Sequence, residues 1–450
     1  MTDIQVVVLW SDRLFFLLIG VALAGGLWAR RHEHLCTSWR RVGQSPIGMA
    51  AATVLLVFLL VGLLDSLHYR APLPAQEGKP ASYAVEVTSA LDALLSGLRS
   101  RTEKTYSAPL ATHLFAKESL ENDQGRDFPR LRHGGSHLAD QLDSHEADIV
   151  LTTLQGLGLG LVIWLPVAGL LLLARRRSPE LAWNAVSVTL LAVALLAGPV
   201  LLMSQGYHVL GTDKVGQDVL YLTLKSIRTG LLIGTLTTLI MLPAAVVLGI
   251  VAGYLGGWVD DLIQYLYTTL NSIPGVLLIA AAVLMMQVVI DTHPQWFATA
   301  AERSDARLLA LCAILGITSW TGLCRLLRGE TLKLRELDYV QAARAFGVSP
   351  WRIMARHILP NVMHIVMIAI VMDFSGLVLA EAVLSYVGIG VDPSTISFGT
   401  MINTARMELA RDPMVWWSLA AAFCFMFVLV LAANLFADVV RDAFDPRVVK

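Results

Sequence analysis

Two carboxylates, Asp373 and Glu381, lie eight residues apart inside an otherwise apolar run. An ionisable group at such a depth is costly, faces protein or water, and marks a functional position by default. Eight residues is a little over two helical turns, which puts the pair on roughly one helix face. Three readings stay open for them: pairing with a partner subunit, lining a path through a membrane, or span limits that fall elsewhere. A second concentration of charge, Arg344, Arg352 and Arg356, lies in the polar segment DYVQAARAFGVSPWRIMARHILPN at residues 338–361. Ala342, Ala343 and Ala345 favour a helix there. Gly347 offers a C′ position where positive φ costs nothing. Ser349 as N-cap and Pro350 at N1 predict a second short helix to about Ile358, ending before Pro360. Histidines form the third candidate, since His133 and His137 are four apart with Asp140, Asp143 and Glu146 nearby. Such a pair could share a metal on a helix, but Gly134-Gly135 interrupts that helix, so the expectation is solvated surface and no metal site.

Motifs for catalysis are missing. The chain has no G-x-x-x-x-G-K-[ST] loop to cradle phosphates, no His-Glu-x-x-His pair and no G-x-S-x-G elbow. Gly388-Ile389-Gly390 is a bare GxG and carries nothing. No catalytic residue is expected, so any energy must come from a partner.

The elements that position these groups follow from composition. Of 450 residues, 56% are hydrophobic and only 15% charged, with a mean hydropathy of +0.63. A soluble domain is nearer a quarter charged, so this is an all-α polytopic membrane protein. A net charge of −1 leaves no basic footprint for nucleic acid. The four cysteines lack CxxC spacing and read as free thiols. The N-terminus lacks a basic n-region and a small-residue cleavage site, so its first apolar run is expected to stay as a span. With about 20 apolar residues per span, nine candidates emerge: 14–28, 47–67, 149–173, 182–203, 231–255, 270–290, 308–327, 362–387 and 415–436. Arg30, Arg31, Arg40 and Arg41 follow the first, Arg175-Arg176-Arg177 the third, and Arg325, Arg328, Lys333 and Arg335 the seventh. Placing all of these inside puts the N-terminus outside and the C-terminus in the cytoplasm.

Residues 68–148 then lie outside, with nine Lys/Arg against twelve Asp/Glu and five of the eleven histidines. Loop-like pieces (Pro72, Pro74, Gly78, Pro80) alternate with a helical-looking run around 84–98 and an amphipathic run at 106–118. About 80 structureless residues would be unusual, so a small extracytoplasmic domain is expected.

Several strings carry a family resemblance. Gln341-Ala342-Ala343, Gly347 and Leu359-Pro360 resemble the Glu-Ala-Ala loop of the transmembrane subunits of binding-protein-dependent ABC importers. The ending His357-Ile358-Leu359-Pro360-Asn361 is similar to the dipeptide/oligopeptide permease branch. Gly211-Thr212-Asp213, Gly216 and Asp218 resemble its Gly-Thr-Asp-x-x-Gly-Arg-Asp element, with Gln217 in place of Arg. Locally, the glycines and Asp213 suit a tight turn, and Asp218 suits the start of an amphipathic helix at 219–228. Gly253-Tyr254-Leu255-Gly256-Gly257-Trp258-Val259-Asp260 resembles the branch's Gly-Tyr-x-Gly-Gly-Trp-x-Asp turn. Asn271-Ser272-Ile273-Pro274, the segment 322–338, Glu381, Val391-Asp392-Pro393, Phe398-Gly399-Thr400-Met401 and the closing 434–447 also match. Gln341 replaces the family's Glu, which removes a charge while keeping length and hydrogen bonding.

The resemblance covers roughly residues 182–450 and implies a type I ABC importer permease core of six spans, with the transmembrane domain proper at about 222–438. Three extra N-terminal spans precede it: two in 1–67, then the insertion 68–148, then one in 149–181 with its arginine loop. It implies a bacterial inner-membrane protein that moves dipeptides or oligopeptides. Nickel, glutathione, a peptide-like compound, or a non-transporting sensor or assembly role are the alternatives. Implied partners are a second homologous permease, two ATPase subunits that bind ATP and Mg, and a periplasmic substrate-binding protein. No cofactor is implied in this chain. The loop 338–360 would dock the ATPases: Gly347 as hinge, Ala342 and Ala343 allowing close approach, Arg344 and Arg352 supplying charge.

Overall fold

The computed structural model describes residues 5–31, 33–73, 83–119, 126–138, 144–297 and 299–444. Pro74, Gly78, Pro80, Asp140, Asp143 and the closing Asp445-Pro446-Arg447 lie outside the described residues. The protein is all-α and polytopic. Among the described residues, nine helical stretches are long and apolar enough to cross a membrane. They include α1 (Trp10–Ala29), then, after the short α2 (Glu33–Gln44), α3 (Pro46–Ser66). Ser45 caps α3, its side chain accepting from Gly48 N at 3.2 Å, with Pro46 at the first helical position.

The insertion carries small elements. The expected helix around 84–98 starts only at residue 90, as α4 (Ala90–Leu94), followed by α5 (Ser96–Ser100). The reason is local: Ser89 and Asp92 form a reciprocal capping box that fixes the start. Strand β1 (Gln5–Val7) pairs antiparallel with β2 (His68–Arg70), which pairs with β3 (Thr88–Ser89). A second ribbon joins β4 (Glu118–Ser119) to β5 (Arg126–Asp127).

Helices α6 (His145–Arg177) and α7 (Trp183–Met203) come next. The amphipathic helix expected at 219–228 and the span expected at 231–255 form one helix, α8 (Val219–Leu255). Only Thr229 and Gly230 lie between them, and one glycine does not end a helix. The reverse occurs at 270–290. There α9 (Gly257–Ser272) stops, Ile273 turns extended ahead of Pro274, and α10 (Gly275–Thr292) starts after it. The helix α11 (Ala300–Arg335) leads to α12 (Asp338–Ala345) and α13 (Pro350–Ile353). Last are α14 (Leu359–Val387), α15 (Phe398–Glu408) and α16 (Trp417–Phe444).

The chain divides into two compact units. One comprises residues 1–8, 39–230 and 393–436. Here α6 and α7 cross at glycines: a Cβ on Gly156 would land on the Pro199 backbone, and one on Gly160 on the Ala194 carbonyl. Small residues let two helix backbones approach this closely. The insertion shares its packing with residues 204–218. Glu103 N donates to Gly216 O at 2.9 Å, Leu110 N to His208 O at 2.9 Å, and Gly135 N to Gly206 O at 2.8 Å. Trp417 Nε1 donates to Thr212 O at 2.9 Å, and its ring meets Phe115 edge-on at 4.8 Å. The other unit comprises 9–38, 231–392 and 437–450. In it, Ser11 N donates to the buried Asp305 carboxylate at 3.1 Å, fixing α1 against α11. Its core gathers Met241, Trp320, Leu327, Ile353, Ile358 and Val362.

Candidate functional site

The 338–361 segment is built from three local rules. First, α12 ends in a Schellman motif: Gly347 at φ +73°, Val348 N donating to Ala343 O at 3.1 Å, and Gly347 N to Arg344 O at 3.0 Å. Second, Ser349 and Pro350 start α13, with Ile353 N donating to Ser349 O at 3.1 Å. The Ser349 side chain makes no cap hydrogen bond, so its contribution is positional. Third, the helix does not end before Pro360. It widens into a π turn, Met354–Ile358, and runs straight into α14. Leu359 N donates back to Met354 O, and the wider turn gives room for a proline ring that would clash in regular α geometry. Leu359 is half-buried and Pro360 exposed at this junction.

One face of this segment is anchored. Val340, Ile353, Met354 and Ile358 are buried in the core, and Ala343 packs against it. The opposite face is open: Gln341, Ala342, Arg344, Ala345 and Arg352 are exposed, with Phe346 at 87% and Trp351 at 67%. Large apolar side chains this exposed, flanked by arginines, mark an interaction surface. Of the two alanines expected to allow close approach, only Ala342 presents outward. Asn361 Nδ2 donates to His357 O at 2.6 Å and to Tyr339 OH at 3.1 Å, tying α12 to the start of α14.

Gln341 has a specific partner. Its Nε2 donates to Glu336 O and to Glu336 Oε2, both at 3.3 Å, and Arg335 Nε donates to Glu336 Oε1 at 3.1 Å. An ionised glutamate at 341 could not donate to Glu336 and would repel it. A surface cleft of about 550 Å³ lies here, lined by Tyr254, Arg335, Glu336, Val340, Gln341, Arg344 and Ala345. The cleft thus joins the 338–361 segment to the glycine turn. In that turn Gly256 and Gly257 adopt φ of +66° and +59°, and Trp258 is 76% exposed. Asp260 is gripped by Arg328, Nε to Oδ1 at 2.5 Å and Nη2 to Oδ2 at 2.7 Å, which holds its carboxyl below the usual carboxylate range.

The membrane carboxylates separate. Glu381 is buried and its Oε1 accepts from Ser385 Oγ at 2.7 Å, whereas Asp373 is half-buried. Eight residues leave about 80° between two side chains around a helix, enough to place them in different surroundings.

In the other unit, Gly211 and Gly216 take φ of +72° and +76°. Asp213 Oδ1 accepts from Val215 N at 3.0 Å and Gln217 N at 2.8 Å, closing the turn, and Asp218 Oδ1 caps α8 through Leu220 N at 2.8 Å. The Gln217 side chain is exposed and nothing in the structure explains its replacing arginine. Sequence reasoning missed the ion cluster beside this turn. His208 Nδ1 lies 2.8 Å from Asp218 Oδ2, and His208 Nε2 lies 3.4 Å from Glu103 Oε1. Glu103 also accepts from the backbone N of Arg132, His133 and Gly134 at 2.9, 2.7 and 3.2 Å. Burial works against its charge, yet His208 and these donors pull its pKa down to about 2. Burial likewise opposes the imidazolium, but Asp218 and Glu103 raise His208 to about 9. A second cluster joins Lys225 to Asp65 at 2.8 Å and Asp92 at 3.0 Å. No sequence spacing announces either. Of the two histidines read as surface, His133 is half-buried and His137 exposed, the latter with its Nε2 2.9 Å from Asp148 Oδ2.

The helices long and apolar enough to cross a membrane, with the helix-turn-helix 338–361 anchored on one face and open on the other, define a polytopic membrane protein. Residues 245–450 match the family described as "Binding-protein-dependent transport system inner membrane component". The chain is 34% identical over 239 residues to an oligopeptide transport system permease protein of Mycobacterium bovis, covering 53% of this chain and 76% of that one. It is 32% identical over 240 residues to a dipeptide transport system permease protein of Lactococcus lactis, covering 53% and 64%. A glutathione transport system permease protein of Pectobacterium atrosepticum matches at 33% over 242 residues, covering 53% and 73%. Among solved structures, the inward-facing MetNI methionine ABC transporter matches at 16% identity and a TM-score of 0.37, covering 50% of this chain and 97% of that one, too loose a likeness to argue from. The chain belongs to the binding-protein-dependent transport system inner membrane component family.

Proposed function

We propose that the chain is one permease subunit of an ATP-driven importer of dipeptides or oligopeptides, joined by a second homologous permease, two ATPases and a periplasmic binding protein. The observation that carries the reading is the segment 338–361, anchored through Ile353 and Ile358 yet open through Ala342, Phe346 and Trp351. That open face is where an ATPase docks and moves α14. The relatives named for dipeptide, oligopeptide and glutathione transport support a peptide-like cargo. The N-terminus lies outside and the C-terminus in the cytoplasm. The alternation of sides is supported by hydrogen bonds between segments expected on the same side (β1 with β2, 101–135 with 204–218, and Gly43 with Ala182), and the arginine runs supply the direction. Of the membrane carboxylates, Glu381 anchors α14, and Asp373 lines the path or meets the second permease. Residues 182–450 form the importer core, and 1–181 are additional to it.

The test is Phe346→Asp and Ala342→Asp in the chain co-expressed with its ATPases. Both side chains are exposed, so the chain itself folds. Loss of ATPase co-purification and of labelled dipeptide uptake is expected; retained assembly in both variants sinks the docking claim. Ala343→Asp is less clean because Ala343 packs on the chain's own core, and Gly347→Asp adds backbone strain.

A further inference from the structure

We infer that the cytoplasm-facing ends of α2, α6 and α7 form a binding site for the phosphate headgroup of an anionic phospholipid. Two arginine runs far apart in sequence are brought to one turn. Arg40 forms an ion pair with Glu180, Ala182 N donates to Gly43 O at 2.9 Å, and the Leu181 side chain packs against Gly43. These contacts bring the end of α2, which carries Arg40 and Arg41, to the turn that directly follows Arg175, Arg176 and Arg177 at the end of α6. All five guanidinium-bearing residues are exposed. Arg175 is steered by Asn184, Nη1 to Oδ1 at 3.1 Å. Glu180 is the lone carboxylate in the sequence between Asp148 and Asp213, and none occurs between Glu33 and Asp65. Those two stretches therefore carry five arginines against one carboxylate.

The position selects the ligand. Immediately before the arginines, Leu170, Leu172 and Leu173 are 67, 60 and 58% exposed, a surface that acyl chains cover. The arginines thus begin where the apolar surface ends, at headgroup depth. Guanidinium groups bind phosphate oxygens in a planar, two-pronged geometry, and basic pockets between spans on this side of a membrane take anionic headgroups. A soluble phosphate would gain the charge contacts but not the adjoining apolar surface.

The experiment uses the full chain purified in detergent. Native mass spectrometry measures retention of added phosphatidylglycerol against phosphatidylcholine, with inorganic phosphate as competitor. The expected result is at least a tenfold preference for phosphatidylglycerol that millimolar phosphate does not remove. Arg175→Gln/Arg176→Gln/Arg177→Gln and, separately, Arg40→Gln/Arg41→Gln each reduce it about tenfold or more, since each surface cation contributes roughly fivefold. The corresponding Lys triple retains most of it, which separates charge from misfolding, and Lys117→Gln/Lys214→Gln leaves it unchanged. Equal retention of both lipids, displacement by phosphate, or full preference in both arginine variants overturns the site and leaves the arginines as orientation signals only.

Discussion

Replacing His208 with glutamine removes the cation from between two buried carboxylates. The Glu103 and Asp218 side chains are 1% and 0% exposed beside it, so the variant leaves like charges facing each other away from water. Breaking a buried ion cluster by removing one partner costs about 3–5 kcal/mol. The raised pKa of His208 gives a figure of similar size. His208 rises from 6.5 to about 9 on folding, worth on the order of 3 kcal/mol. Because the folded value is raised, this stabilisation is fully present below pH 6.5 and is lost as pH rises through 9. Glu103 has the opposite sign: its folded value is depressed from 4.5 to about 2, so its share is present above 4.5 and lost as pH falls through 2. The segment should hold best between about pH 4.5 and 6.5. Amide hydrogen exchange on the purified chain reads this directly at Glu103, Leu110 and Gly135, whose N–H groups bridge to residues 206–216. Protection there should fall roughly a hundredfold in His208→Gln at pH 6, and His208→Gln/Glu103→Gln should recover part of it by removing the repulsion. Protection within twofold of the parent, or flat protection from pH 6 to 10, would refute the cluster's role.

Other outcomes follow from single contacts. Gly156→Val or Gly160→Val should push α6 off α7 and cost about 1–3 kcal/mol, seen as a lower melting temperature in detergent. Gly158→Val, which meets nothing within 4 Å, should be neutral by comparison. Gly347→Ala places a Cβ at φ +73° and should cost about 1–2 kcal/mol, read as faster exchange at Val348. Gln341→Glu sets two carboxylates together at an exposed site, so it should cost under about 1 kcal/mol, with the loss screened by added salt. Ile358→Ala should cost about 2–5 kcal/mol and loosen the 338–361 segment to protease.

What the sequence made legible were features with local causes. Apolar length located the candidate spans, and positive-φ glycines at 211, 216, 256, 257 and 347 sat where turns demanded them. Asp213 and Asp218 took the turn and cap positions that their short acceptors suit. The errors came where two local signals competed. Pro360 reads as a stop, yet a π turn carried the helix past it. The 219–228 helix and the 231–255 span read as two elements, yet α8 ran through both. Beyond reach altogether were contacts closed by the fold: Glu103 with His208, 105 residues away, Ser11 with Asp305, and the glycine crossing of α6 with α7. Gln341 looked like a weakened glutamate until Glu336 appeared beside it.

The unbroken helical path from Pro350 to Val387 changes what kind of mechanical part this is. Thirty residues of helix separate Trp351 from Glu381, about 45 Å of stiff rod. A hinged loop would dissipate a tug applied at its exposed end. On the proposed docking, a rod gripped at Trp351 would convey displacement towards Glu381, with the buried Ile353 and Ile358 near the grip as a fulcrum. The stroke reaching the membrane would then be set by leverage, and the π turn at 354–358 is where the rod departs from regular α geometry.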